Sequence, residues 1–70
     1  MKLHWVLNEI AHMRRQIRAH EREIGMLRRA DIPTASSELL LNRMRAKLDD
    51  LCRERDAVRK ASARVASPPG

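Results

Sequence analysis

His4, His12 and His20 recur every eight residues, the kind of repeat that raises the question of a metal. On a helix that spacing sets neighbouring rings about 12 Å apart along the axis, too far to share one ion. Cys52 is the only cysteine. It has no partner for a disulfide or a metal set, and reads as a half-buried thiol in a reducing cytoplasm. Asp49, Asp50, Glu54 and Asp56 crowd a strongly polar stretch. Acid–base catalysis asks for a closed pocket that shifts a carboxyl's affinity for protons, and nothing in the pattern builds one. Glycine-rich phosphate loops, paired cysteines and H-E-x-x-H are all missing from the sequence. The expectation is a non-enzyme, with no catalytic residue, no metal and no cofactor.

What remains is binding chemistry. The net charge is +6, and of 15 basic residues all but Lys2, Lys47 and Lys60 are arginine. Arginines dominate IAHMRRQIRAHEREIGMLRR, residues 10–29, where Arg14, Arg15, Arg18, Arg22, Arg28 and Arg29 alternate with an apolar set. Arg15, Arg22 and Arg29 project alike, each about 10 Å beyond the last, a spacing that could follow phosphates along a backbone. The aromatic platforms that stack single-stranded bases are missing, since Trp5 is the only aromatic residue. Any soluble helix also carries charge opposite its buried seam.

The elements that must position these groups follow from heptads. With Leu3 at position a, Leu3, Ile10, Ile17 and Ile24 share a, while Val6, Met13, His20 and Leu27 share d; only His20 breaks the apolar seam. A second series places Leu41, Leu48, Arg55 and Ser62 at a and Met44, Leu51, Val58 and Val65 at d. Between them, RADIPTASSE holds Pro33, which cannot continue a helix, then Thr34 as a cap and Glu38 in the next first turn. The fold class is therefore all-α: an antiparallel two-helix coiled-coil hairpin. Its first helix covers about residues 2–30, the loop 31–33 and the second helix about 34–66, with 67–70 (SPPG) a disordered tail. Such a hairpin resembles, in size and shape alone, other small helical-hairpin proteins, and no residue role is carried over.

The heptads also propose a register, pairing Leu27–Leu41, Ile24–Met44, His20–Leu48, Ile17–Leu51, Met13–Arg55, Ile10–Val58, Val6–Ser62 and Leu3–Val65. The flanking residues then come out opposite in charge, as Arg28–Glu38, Glu21–Arg45 and Glu23–Lys47. In this register the open end of the hairpin is looser than the loop end. Arg55 lays its stem on Met13 and turns its charge outward. Gly25 falls on the outer surface as a tolerated glycine.

Two surfaces are candidates for function. Trp5, Ala19, Met26, Leu40, Ala57 and Ala61 share one side of the hairpin, with Met26 near Leu40 and Trp5 near Ala57 and Ala61. That less polar side suits a second helix pair. A homodimer, most simply a four-helix bundle that also docks protein partners, is the first expectation. Nucleic-acid contact through Arg14, Arg15, Arg18, Arg22 and Arg29 is the alternative. MKLHWVLNEIAHM lacks the continuous apolar run and cleavage site of a signal peptide, and no stretch is apolar enough to span a bilayer. Lying on anionic lipid would require the hairpin to open, so membrane association is not expected. The expected setting is the cytoplasm.

Overall fold

The computed structural model describes the backbone of residues 2–66 and the side chains of residues 2–62. The tail expected at 67–70 and the side chain of Val65 lie outside that range. Two helices, α1 (Lys2–Arg29) and α2 (Ala35–Ala66), fold back on one another as a hairpin. Each matches its expected extent to within a residue.

The turn is built from backbone hydrogen bonds. Ile32 N–H donates to Leu27 O (2.9 Å) and Asp31 N–H to Arg28 O (3.1 Å), the pair of bonds that defines a Schellman stop. Asp31 takes a left-handed backbone, φ 56°, where glycine is the usual occupant. Pro33 then prevents any resumption of α1. Thr34 holds the N-cap position, its carbonyl accepting from Glu38 N–H at 2.8 Å. Glu38 lies in the first turn of α2, and Arg28 and Arg29 in the last turn of α1, each suited to the local dipole.

Val6, Ile10, Met13, Ile17, Ile24, Leu41 and Leu51 are the buried core. They form two groups. Leu51 clusters with Val6, Ile10 and Met13, while Leu41 clusters with Ile17 and Ile24; Met44 and Leu48 pack against both. Cys52, half-buried and free as expected, packs on the first group.

These groupings correct the register. The expected pairing puts Leu51 against Ile17 and leaves Val6 facing Ser62, yet Val6 is the most buried of the described residues, at 0% exposure. His20 Nε2 donates to Ser37 O at 2.9 Å. In the expected pairing Ser37 would stand about 11 residues further along the axis, roughly 16 Å away and far beyond an imidazole's reach. Lys2 Nζ to Glu54 Oε1, at 3.2 Å, is equally incompatible. Sliding α2 by one heptad, about 10 Å, satisfies both contacts and both clusters. Ile10 then comes level with Leu51, Met13 with Leu48, Ile17 with Met44 and His20 with Leu41.

The tight turn explains the slide. Because Asp31 reverses the chain immediately after α1, Thr34 returns level with Leu27 rather than climbing past Arg29. At the open end Val6 is buried, whereas no described α2 side chain beyond Leu51 is. There the slid register sets Arg55 level with Val6. The Arg55 side chain is 22% exposed and its Nε donates to Asp56 Oδ1 at 3.0 Å. The charge does turn outward, as expected, but not from Met13.

Candidate interaction surfaces

Two flanks run along the groove between the helices. One is bridged by Arg28–Glu38 and by Arg45–Glu21, the latter at 3.2 Å. Both pairs match the expectation and tolerate the slide, because side chains on antiparallel helices lean toward their own N-termini and so toward each other. Between the pairs, Ile24, Gly25, Leu41 and Asn42 line a shallow groove. A Cβ added to Gly25 would meet only Arg29 Nη2, at 3.8 Å, so the glycine leaves open space rather than a packing contact. Arg29 Nε donates to Gly25 O at 3.3 Å.

The arginine stripe continues from this flank over the back of α1. Arg14, Arg15, Arg18, Arg22 and Arg29 are all exposed. Among the described residues, Arg14, Arg15, Arg18 and Arg22 make no salt bridge, whereas the ion pairs present involve Lys2, His20, Arg28, Arg45, Arg53 and Arg55. Four free guanidiniums on one helix face are a concentrated positive surface in water.

The opposite flank carries the Lys2–Glu54 pair and a second shallow groove, lined by Gln16, Ala19, His20, Leu40 and Met44. Trp5, Met26 and Leu40 are exposed on this flank by 54%, 64% and 47%. Ala19, Ala57 and Ala61 are exposed as well. The slide keeps Trp5 level with Ala57 but separates Met26 from Leu40, which instead stands over Ala19. It also undoes the expected Glu23–Lys47 pair by carrying Lys47 about 13 Å from Glu23 along the axis. Glu23 turns to His20, with Oε2 3.6 Å from Nδ1. His20 is thus the half-buried, satisfied histidine expected on a seam, held by a backbone carbonyl of the other helix.

The chain matches no family model, and no curated protein or solved structure is significantly similar to it. Its surfaces must be read from their own chemistry. Among the described residues, no three of His, Cys, Asp and Glu converge, and no helix is long and apolar enough to cross a membrane.

Sequence reasoning missed Ile32 and Leu39, exposed by 49% and 54% near the turn. Leu39 sits on the outer back of α2, outside the apolar periodicity that defines the seam, and Ile32 lies in the turn, outside both heptad series. Arg43 was also passed over. Its heptad position places it on the Leu40 flank, beside Lys47, and that position was the available signal.

Proposed function

We propose that this chain is a non-enzymatic helical-hairpin interaction module that self-associates and docks protein partners through the Leu40 flank. One observation carries the reading: Trp5, Met26 and Leu40, three large apolar side chains, stand exposed by 54%, 64% and 47% along that one flank. A hairpin whose interior is a single row of side chains gains most by covering such residues with another helix pair. Dimerisation into a four-helix bundle is the simplest closed arrangement. The cytoplasm, where Cys52 stays reduced, is the setting this reading assumes.

The test is the absolute mass of the purified chain by light scattering. The parent is expected to be a dimer, and Trp5→Ser with Met26→Ser to lower the mass toward the monomer with little loss of helix content. A mass that ignores both substitutions would refute this flank as the interface.

The unpaired Arg14, Arg15, Arg18 and Arg22 favour a second reading, a small RNA- or DNA-binding protein. Under it, Arg15→Gln, Arg22→Gln and Arg29→Gln together abolish salt-dependent nucleic-acid binding and leave the mass of the free chain unchanged.

A further inference from the structure

The Leu40 flank of α2 has an internal order that the self-association reading alone does not require. Taken every three or four residues, it runs Leu40, Arg43, Lys47, Asp50, Glu54, Ala57. An apolar residue is followed by two cations, then two carboxylates, then a small apolar residue beside Trp5. Reversed end to end, the series is complementary to itself. Leu40 meets Ala57, Arg43 meets Glu54 and Lys47 meets Asp50, all in one common register. Complementarity of that kind is what an isologous two-fold contact demands, because each surface must fit its own copy.

We infer that the occupant of this flank is a second copy of the chain, laid antiparallel with α2 along α2 and the two-fold axis between Lys47 and Asp50. The inference rests on the self-association reading and gives it a geometry. Charge complementarity is its first support. Arg43 and Lys47 make no salt bridge among the described residues, so both are free to reach a partner. Glu54 and Asp50 are engaged only at the surface, by Lys2 and by Arg53, and each keeps acceptor capacity. A parallel arrangement would set Arg43 against Arg43 and Glu54 against Glu54, and like charges so placed oppose association.

The second support is shape. The shallow groove of about 420 Å³ lined by Gln16, Ala19, His20, Leu40 and Met44 lies at one end of the series, and Trp5 projects at the other. The two-fold axis brings the partner's Trp5 to that groove, and by symmetry sends Trp5 to the partner's. Ala19 leaves room there for an indole. The paired stretch, from Leu40 to Ala57, is about 26 Å long. With the hairpin 15 Å across, the contact covers roughly 400 Å² on each copy, about 800 Å² in all, the size of a weak, reversible interface whose specificity comes from the charge pairs.

The test uses two charge-reversed chains. In the first, Arg43→Glu and Lys47→Glu make the series wholly acidic; in the second, Asp50→Lys and Glu54→Lys make it wholly basic. Each alone is expected to run as a monomer, its dimer dissociation constant raised by about 100-fold or more. Mixed in equal amounts, they are expected to recover the dimer mass. All four substitutions in one chain restore self-complementarity and are expected to restore the homodimer. That chain also decides the matter should either single reversal lose helix content. A dimeric parent whose mass survives either reversal, a mixture that stays monomeric, or a monomeric four-residue variant overturns the inference while leaving self-association standing. A parent that is itself monomeric overturns both.

Discussion

Val6→Ala distinguishes the observed packing from the register that heptads alone propose, because the two differ in the sign of the effect. Val6 is fully buried, clustered with Ile10, Met13 and Leu51. Removing two carbons there forfeits about 0.8 kcal/mol each in transfer free energy. An incompletely collapsed cavity adds up to about 1 kcal/mol. Alanine's better helix propensity returns roughly 0.5 kcal/mol. The net loss is about 1–2 kcal/mol, which for a domain of this size lowers Tm by roughly 5–12 °C. Had Val6 faced Ser62 at a fraying end, only the propensity gain would remain, and Tm would rise by about 2–4 °C. Thermal unfolding followed by circular dichroism reads the difference. Parent and variant must be compared at one protein concentration, since association stabilises the folded state by mass action. An unchanged or raised Tm would refute the slid register.

Three further outcomes follow from the same structure. Gly25→Ala fills open space at the edge of the shallow groove beside Arg28 and is expected to raise stability by about 1 kcal/mol in denaturant titration, with no change in mass. Asp31→Gly relieves a left-handed backbone and removes a negative charge from a helix C-terminus. The larger conformational freedom of unfolded glycine offsets part of that gain, so the expected rise is about 0.5–1 kcal/mol by the same titration. Glu21→Gln breaks the exposed pair with Arg45 and should cost no more than about 1 kcal/mol, a difference that shrinks as salt is raised.

Much of the architecture was legible because it rests on periodicity. Four heptads with one interruption specify α1, and Pro33 with Thr34 marks the break to within a residue. Register was not legible for a related reason. A heptad pattern matches its partner equally well after a slide of one heptad, since every a position still meets a d. Even Arg28–Glu38 and Arg45–Glu21 are compatible with both alignments, as long side chains span the difference. What decides is the length of the turn, set by Asp31 adopting a backbone that its residue type does not advertise. The bond from His20 to Ser37 then locks the outcome, a side chain to a carbonyl that no pairing rule anticipates. The candidate surfaces fared unevenly. Trp5, Met26 and Leu40 are as exposed as their heptad positions imply, because position around a helix follows from spacing alone. Which of them are neighbours depends on the register, and so Leu40 moved from Met26 to Ala19.

Self-association is the claim from which the functional account descends, and light scattering of the purified chain at moderate salt tests it most directly, with and without mixed RNA and DNA. The account predicts a dimer whose mass is indifferent to added nucleic acid. A monomer at every concentration, or a nucleic-acid complex that dissolves as salt rises, would contradict it, the latter making Arg14, Arg15, Arg18 and Arg22 the functional surface.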